Sequence, residues 1–346
     1  MPRAPDIWRL ISTPQVAADA APDALRDAAA RLADVVAAPL AAYVLAPAEQ
    51  VAGTWLVEPN RAKEGRLAAK LALARQHACL AEIAAAGIDV VAIKGFAAAH
   101  TLYADDPTAR LVGDMDVLVR PRDRDRLIET LAAQGYAFRV SDLPPWGFMP
   151  RHSYAPFISR VGVVNLDIHI APDEDPLARG LPAEAVFAAA QRLEAAIKVP
   201  APSHALMIAV SNAAKDKFGP LSARKLVDAT LLVRAPELDW DQVREIATAA
   251  RMGKPLAVLM HLLVAPGTPT DRVPADVWPP LSGPARALFP VLRREVQALW
   301  PRSPTLSGGL WREAVFAAAP RAVVATNMRR GLGLLRPRDG IPLPGR

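Results

Sequence analysis

The chain has 346 residues, of which 52% are hydrophobic and 22% are charged, a balance typical of globular proteins. This length accommodates one large domain or two to three small ones with a full hydrophobic core. Cys79 is the single cysteine, which excludes an intrachain disulfide and a cysteine-based metal cluster. The N-terminal residues lack the apolar core of a signal peptide, and no uninterrupted apolar run reaches the ~18 residues of a bilayer-spanning helix. We therefore expect a cytoplasmic protein with no membrane partner.

The formal net charge is +6, and much of the arginine excess lies in the C-terminal third of the chain. A basic surface is compatible with nucleic acid or another polyanion as partner. It is also what a solvated, arginine-rich face produces, and we favour this second interpretation. No RNA-reading motif accompanies the charge, and aromatic side chains that stack on bases are sparse.

Apolar residues at helical spacing predict an N-terminal helical segment over residues 1–60, in which Pro39 and Pro47 separate short helices. A longer helix is predicted from Asn60, as its N-cap, to Ala86. The buried face of this helix is predicted from five residues at helical spacing, namely Leu67, Leu71, Ala74, Ala78 and Ile83.

Short β-branched runs then alternate with helical stretches, which predicts an α/β core over residues 61–172. Its strands are predicted at Ile88–Ile93, Leu111–Val119, Tyr136–Val140, His152–Ser159 and Val161–Ile170. Its helices are predicted at Phe96–Leu102 and Pro121–Gly135.

Strand signals fade after Pro182, apart from a short piece near Ile197–Val199, and this predicts a helical domain over residues 173–265. Its helices are predicted at Ala183–Leu193, Ser203–Asp216, Leu221–Leu232, Asp239–Met252 and Pro255–Leu263, with Ser203 and Asp239 as N-caps. Residues 266–346 are predicted to form a helical C-terminal extension with a basic tail. The predicted fold class is therefore α+β, a small mixed sheet flanked by N-terminal helices and by a larger C-terminal helical region.

Two acidic residues, Asp114 and Asp116, lie two positions apart in the second predicted strand, so their side chains share one face while Met115 and Val117 face the core. Two carboxylates held this close repel each other unless a cation lies between them. Magnesium prefers such oxygen ligands and shares them with substrate phosphates. Alternatively, the two acids line an exposed strand edge. The apolar run that follows favours the metal interpretation, because it places the acids at the end of a buried strand, where α/β folds bind ligands.

A third acid fits the same logic. In the run Val163–Ile170, polar and apolar residues alternate, so Asn165, Asp167 and His169 share one face of a half-buried strand. If this strand lies beside the second one, Asp167 completes a two-metal cluster of the kind that clamps both oxygens of an in-line displacement. Asp167 could also accept the proton of the attacking hydroxyl. Three roles stay open for His169: a neutral partner of the metal ligands, a phosphate contact, or a solvated histidine.

The pair Lys94-Gly95 follows the first predicted strand and marks a candidate phosphate-binding turn. Gly95 permits a tight strand-to-helix turn, and the helix that follows offers backbone N–H groups to an anion. Lys94 would add a positive charge for a triphosphate. Arg110 lies just ahead of the acidic pair, where it either clamps phosphate with two nitrogens or forms a salt bridge with Asp114.

Together these motifs resemble a poorly characterised bacterial nucleotidyltransferase family, a branch of the polymerase-β-like superfamily. The residues that carry the resemblance are Ile93-Lys94-Gly95, Leu102-Tyr103, Asp106-Pro107, Arg110, Asp114-Met115-Asp116-Val117-Leu118-Val119, Gly135-Tyr136, and Asp167 with His169. A weaker likeness continues through Lys215, Asp228 and Leu238-Asp239-Trp240, so that the resemblance covers about Ala62 to Val264. The sequence departs from the pattern in two places: Lys94-Gly95 replaces the superfamily's Gly-Ser pair, and Asn212 stands where this branch tends to have histidine.

The resemblance implies a nucleotidyltransferase core that moves a nucleoside monophosphate from an NTP, with ATP expected, by a two-magnesium mechanism. It implies Asp114, Asp116 and Asp167 as catalytic ligands of Mg²⁺ or Mn²⁺. It also implies that Lys94, Gly95, Arg110 and His169 bind the nucleotide. The acceptor hydroxyl or phosphate could belong to a small molecule, a peptide or protein, or RNA.

Two other functions remain open from the sequence. A kinase-like phosphotransferase would use the same metals, and a catalytically silent binding module would retain the fold alone. Intact Asp114, Asp116 and Asp167 argue against the silent module, because clustered buried carboxylates without a ligand cost stability.

Overall fold

The computed structural model describes residues 6–138, 157–158, 164–172, 180–193, 197–264 and 273–335. Most of the predicted strand His152–Ser159 and the predicted basic tail from residue 336 onward lie outside these ranges. The fold is α+β, as the sequence predicts, with one mixed sheet among helices from both ends of the chain. Within the described ranges, no helix combines the length and the apolar character that crossing a bilayer requires.

The α-helices of the described residues follow the predicted order closely, with one additional short helix at the N-terminus. In chain order they are α1 (Ile7–Ser12), α2 (Pro22–Val36), α3 (Ala38–Ala52), α4 (Pro59–Ala85), α5 (Lys94–Thr101), α6 (Arg124–Ala133), α7 (Ala183–Ala189), α8 (Pro202–Lys215), α9 (Ala223–Leu232), α10 (Trp240–Ala249), α11 (Gly253–Val264), α12 (Gly283–Gln297), α13 (Leu306–Phe316) and α14 (Pro320–Leu334).

Three predictions about α3 and α4 are wrong. Pro47 lies inside α3 and does not separate two helices, whereas Pro39 lies in the first turn of α3, where the missing N–H is not needed. Helix α4 is capped by Glu58 and not by Asn60, because the Glu58 carboxylate accepts hydrogen bonds from the backbone N–H groups of Asn60 and Arg61 at 3.0 and 2.6 Å. The predicted buried face is also displaced: Leu67 and Leu71 are 62% and 52% exposed. The buried residues Leu73, Gln76, Leu80 and Ile83, again at helical spacing, face the sheet instead.

The predicted N-cap at Asp239 is confirmed, since its side chain accepts from the backbone N–H groups of Asp241 and Gln242. The predicted N-cap at Ser203 is wrong. Helix α8 begins one residue earlier, after Ala201, and the buried Ser203 hydroxyl donates to the backbone carbonyl of Asp239 at 3.0 Å. Ser203 therefore joins the start of α8 to the start of α10 and does not cap its own helix.

Within the part of the chain that the structure describes, the sheet has seven strands in the order β3-β4-β5-β2-β1-β7-β6. Their bounds are β1 (Val90–Ile93), β2 (Asp114–Val119), β3 (Ala137–Phe138), β4 (Phe157–Ile158), β5 (Asn165–His169), β6 (Gln191–Arg192) and β7 (Lys198–Val199). Strand β2 pairs antiparallel with β1 and parallel with β5. The predicted helix Ala183–Leu193 ends at Ala189, because the chain turns there to form the edge strand β6.

The two faces of the sheet pack against different cores. Met115, Val117, Leu166 and Ile168 lie in a smaller apolar core with α4 and α6. The opposite face carries the polar side chains of β2 and β5 and lies towards the larger core, to which both the N-terminal and the C-terminal helices contribute. The alternation read from the sequence therefore sorts the side chains correctly, with apolar residues on one face and acids on the other.

The turn between α8 and α9 is held by the C-terminal extension. Lys217 and Phe218 both have positive φ, at 59° and 50°, a conformation that costs a non-glycine residue free energy. The indole N–H of Trp300 donates to the Phe218 carbonyl at 2.9 Å, and Arg312 donates to the Lys217 carbonyl at 3.3 Å. These contacts from residues after α12 stabilise the turn and so fix α9 relative to α8.

Candidate active site

Strands β2 and β5 bring the predicted acids together. Their parallel register places Asp114 opposite Asn165 and Asp116 opposite Asp167. Side chains opposite each other in neighbouring strands point to the same face. The three carboxylates therefore lie on one face of the sheet, although 51 residues (167 − 116) separate Asp116 from Asp167 in the chain.

Asp116 lies at the centre of this group. Its Oδ1 is 2.7 Å from Lys94 Nζ and 2.9 Å from His169 Nε2. Burial acts to raise the pKa of Asp116, but the charge of Lys94 and the hydrogen bond from His169 hold that pKa well below its ordinary value. Asp116 is therefore an anion, and Lys94 supplies its counter-charge.

His169 is 1% exposed, which rules out the solvated histidine that the sequence left open. Its Nε2 contacts both Asp116 Oδ1, at 2.9 Å, and Asp167 Oδ2, at 3.2 Å. Burial and the charge of Lys94 act to lower the pKa of His169, but its hydrogen bonds with Asp116 and Asp167 outweigh them and raise it. A proton on Nε2 therefore bridges the two carboxylates and fixes their side-chain orientation.

Lys94 has a strained backbone. It follows the extended residue Ile93 and begins α5 with φ at 56°, in the left-handed region. The sequence predicts that Gly95 provides the conformational freedom of this turn, and that prediction is wrong, because Gly95 is absent from the glycines with positive φ. The strain falls on the residue whose ammonium group reaches Asp116, a placement typical of functional sites.

Arg110 pairs with a residue far along the chain. Its Nε and terminal nitrogen donate to Asp228 at 3.1 and 3.0 Å, and the salt bridge with Asp114 that the sequence left open is not formed. Tyr103 donates to the same carboxylate at 2.8 Å. Burial acts to lower the pKa of Arg110, but the charge of Asp228 outweighs it and raises the pKa. The sequence comparison pointed to Tyr103 and Asp228 as motif positions without giving either a role.

The donor set fits a divalent cation. Ligand atoms of Asp116, Asp167 and His169 lie within 4.8 Å of one another. Because the Nε2 proton of His169 bridges the two carboxylates, the oxygens of Asp116 and Asp167 are the atoms left to hold a cation. Asp167 Oδ1 is buried and accepts no hydrogen bond from the described residues, so its desolvation is uncompensated until a cation binds. Asp114 lies outside that close group. It is exposed and accepts one hydrogen bond, from Asn165 Nδ2 at 3.1 Å, which leaves its other oxygen for a second ion. Carboxylate oxygens suit Mg²⁺ and Mn²⁺.

A cleft of about 440 Å³ opens beside Asp114 and Asp116, and its lining does not include Asp167 or His169. One wall contains Lys94 and Gly95 from α5 together with Arg110, Asp114 and Asp116. The opposite wall is formed by α8 and α9. Its lining residues are Pro200, Ala205, Ile208, Ala209, Asn212, Lys215, Asp216, Leu221, Arg224, Lys225, Asp228 and Leu232. A volume of this size is typical of a site for a small-molecule ligand.

A mixed sheet that presents paired aspartates to a cleft between the sheet and flanking helices is the arrangement of a nucleotidyltransferase core. The chain belongs to the uncharacterised nucleotidyltransferase family, whose model matches residues 28–266, more than half of its length. No curated protein and no solved structure matches the chain. The family resemblance read from the motifs is thereby confirmed, and the match begins before the predicted core, within α2.

Proposed function

We propose that the protein transfers a nucleoside monophosphate from an NTP, ATP in the first instance, to an acceptor hydroxyl or phosphate by a two-magnesium mechanism. One observation carries this proposal: Asp116 and Asp167 lie side by side in register on parallel strands, with Asp114 on the same face. The family to which the chain belongs is described as a nucleotidyltransferase family, which supports a transfer reaction. The acidic face also borders a cleft large enough for a nucleotide.

In this proposal Asp116 and Asp167 would hold one ion, and Asp114 and Asp116 would hold a second. Bound there, Mg²⁺ would supply positive charge to the attacking and leaving oxygens of an in-line displacement. His169 keeps both Asp116 and Asp167 oriented through its Nε2 proton. The acceptor hydroxyl gives its proton to Asp167 Oδ1, the oxygen that accepts no hydrogen bond from the described residues.

Lys94 and Gly95 serve the donor nucleotide. In the structure Lys94 Nζ pairs with Asp116, and we infer that the ammonium group turns to the triphosphate when cations neutralise that carboxylate. Lys94 and Gly95, the first residues of α5, line the same cleft. The first N–H groups of a helix have no partner within it and can bind an anion. Arg110, which the sequence assigns to phosphate, acts through Asp228 instead and holds the two walls of the cleft together.

The test uses each NTP labelled either on the α-phosphate or on the γ-phosphate, with Mg²⁺. The acceptors offered are the protein itself, total RNA and a small-molecule extract, and products are identified by mass spectrometry. We expect the α-label in the product and pyrophosphate released. Transfer of the γ-label would instead identify a phosphotransferase, and the absence of any transfer, together with no binding of Mg²⁺–NTP, would identify a silent module.

Substitution of the acids supplies the control. Asp116→Asn and Asp167→Asn should each lower turnover roughly a hundredfold or more, since a lost metal contact removes several kcal/mol of transition-state stabilisation. The matched control is Asp89→Asn. Asp89 pairs with Lys198 and Arg120, each at 2.7 Å. It lies just before the first residue of β1, whereas Lys94 follows the last residue of that strand, and Asp89 does not line the cleft. Near wild-type turnover in Asp116→Asn would contradict the proposal.

A further inference from the structure

The helical wall of the cleft contains an amide side chain that has no hydrogen-bond partner among the described residues. Asn212, on α8, is 8% exposed and lines the cleft. Its side chain makes no hydrogen bond with any described residue, although its backbone carbonyl accepts one from Asp216. Its amide atoms keep some solvent exposure, so they remain available to a ligand that enters the cleft. Asn212 is therefore a polar group that such a ligand can reach.

The same wall contains an arginine without a carboxylate. Arg224, on α9, is half-buried and lines the same cleft as Asn212. Its Nε donates to the Val36 carbonyl at 3.2 Å, but its terminal nitrogens donate to no described residue. No carboxylate of the described residues lies within 4 Å of it. The guanidinium group is thus held through Nε, and its two terminal nitrogens are left to bind a ligand.

The acids around Arg224 are paired with other cations. Asp228 is the nearest acid that contributes to its electrostatics, but both oxygens of that carboxylate accept hydrogen bonds from Arg110, and one also accepts from Tyr103. Asp216 on the same wall pairs with Lys225. Burial lowers the pKa of Arg224, and the neighbouring charge of Arg110 lowers it further. An added oxyanion would relieve both effects.

We propose that Arg224 and Asn212 form a second anion subsite, which binds a phosphate or carboxylate group carried by the acceptor. The inference rests on the proposed function, since it takes this cleft as the catalytic one. Arg224 would bind two oxyanion oxygens through its terminal nitrogens, and Asn212 would donate through Nδ2. The donor triphosphate has its own cation and helix N-terminus at Lys94, on the opposite wall. The cations of the α8–α9 wall are therefore assigned to the other substrate.

The test measures two affinities in the full-length protein by isothermal titration calorimetry. The first is that of a non-hydrolysable ATP analogue with Mg²⁺, and the second is that of inorganic phosphate added to protein already saturated with that analogue. We expect the wild type to bind phosphate in the presence of the nucleotide. Arg224→Ala should weaken phosphate binding about tenfold or more, the effect of one charge-assisted contact, and Asn212→Ala should weaken it by less. Nucleotide affinity should stay within about twofold.

The matched control is Arg234→Ala. Arg234 is also half-buried and also donates to a backbone carbonyl of the N-terminal helices, that of Ser12 at 3.3 Å, but it does not line the cleft. Phosphate affinity should be unchanged in this variant. If Arg224→Ala fails to fold, Arg224→Gln removes the charge while keeping an amide donor, and its weakened phosphate binding gives the same answer.

Three results would overturn the subsite. Phosphate affinity could be unchanged in Arg224→Ala, nucleotide affinity could fall as far as phosphate affinity, or phosphate could bind only in the absence of nucleotide. The last two would assign Arg224 to the triphosphate. A repeat with acetate tells a carboxylate acceptor from a phosphorylated one. If the labelled-NTP test finds no transfer while Arg224→Ala still loses phosphate, the proposed function fails and the anion subsite stands.

Discussion

Arg110 and Asp228 form a buried ion pair in which two guanidinium nitrogens donate to the two oxygens of one carboxylate, at 3.1 and 3.0 Å. Arg110 precedes β2 and Asp228 lies in α9, so the pair joins the sheet to the helical wall of the cleft. Their side chains are 8% and 10% exposed. Removing one partner from such a pair leaves a buried charge uncompensated. The relative position of the two walls therefore depends on this contact.

We expect Asp228→Ala to lower the free energy of unfolding by about 3–5 kcal/mol, the typical cost of an unpartnered buried charge. The double variant Arg110→Met with Asp228→Leu should lose less, because it leaves no charge behind. Urea denaturation followed by circular dichroism measures both. As a control, Asp276→Ala should leave the free energy of unfolding nearly unchanged, because Asp276 pairs with Arg244 at the exposed surface. A loss below 1 kcal/mol in Asp228→Ala would show that the pair does not hold the walls together.

Lys94 combines a functional side chain with a strained backbone, and two substitutions separate the two. Both Lys94→Ala and Lys94→Gly remove the ammonium group, so both should raise KM for the NTP by about tenfold or more, with a smaller change in kcat. Glycine adopts the positive φ of residue 94 without steric cost, whereas alanine does not. Lys94→Gly should therefore be about 1–2 kcal/mol more stable than Lys94→Ala. Equal stability of the two variants in thermal unfolding would mean that residue 94 is unstrained, and an unchanged KM would place the triphosphate elsewhere.

The acidic face could be predicted from the sequence because strand periodicity is local. Alternation in two short runs is enough to place Asp114, Asp116 and Asp167 opposite the apolar core, and a parallel neighbour was the one further assumption. The helices were predictable for the same reason. The displaced face of α4 shows the limit, since Leu67 and Leu71 fit a helical stripe as well as the residues that are buried. Only the position of the sheet decides between two stripes on one helix.

The contacts that complete the site depend on residues far apart in sequence. The partner of Arg110 lies 118 residues further on, and no spacing rule connects them. His169 lies at the end of β5, and Lys94 reaches it from the end of β1, with Nζ 3.3 Å from His169 Nε2. The strand pattern alone does not contain this contact. The left-handed backbone of Lys94 was also hidden, because the adjacent Gly95 is the residue that ordinarily takes that conformation.

Cys79 gives a pH-dependent prediction away from the cleft. The thiol is 1% exposed, and burial raises its pKa to about 11. A raised pKa in the folded state means that the unfolded chain ionises first, so stability from this group is complete below the unfolded pKa of ~8.5 and falls as the pH rises towards 11. The wild type should lose about 2–3 kcal/mol more than Cys79→Ala between pH 8 and 11 in urea denaturation. Cys79 should also resist thiol reagents at pH 8 until the protein unfolds. Rapid labelling of the native protein would show that the thiol is accessible.

Gly95 lies where the triphosphate is proposed to approach the backbone of α5. A methyl group added there would meet Val112 at 3.5 Å and Arg110 at 4.0 Å, which are ordinary contacts, and the φ of Gly95 suits any residue. Gly95→Ala should therefore fold normally and gain up to about 1 kcal/mol, because alanine is the better helix former. Its KM for the NTP should nevertheless rise, by about tenfold, since the methyl group occupies the space next to the backbone N–H groups that bind phosphate.

The matched control for Gly95→Ala is Gly253→Ala. Gly253 begins α11, and a methyl group there meets nothing within 4 Å. It does not line the cleft, so this variant should be as stable as the wild type or slightly more stable, with an unchanged KM. Steady-state kinetics and thermal unfolding of the two variants are read together. A rise in KM with a loss of stability in Gly95→Ala would indicate a packing defect, whereas a normal KM would show that the phosphates do not approach α5 at Gly95.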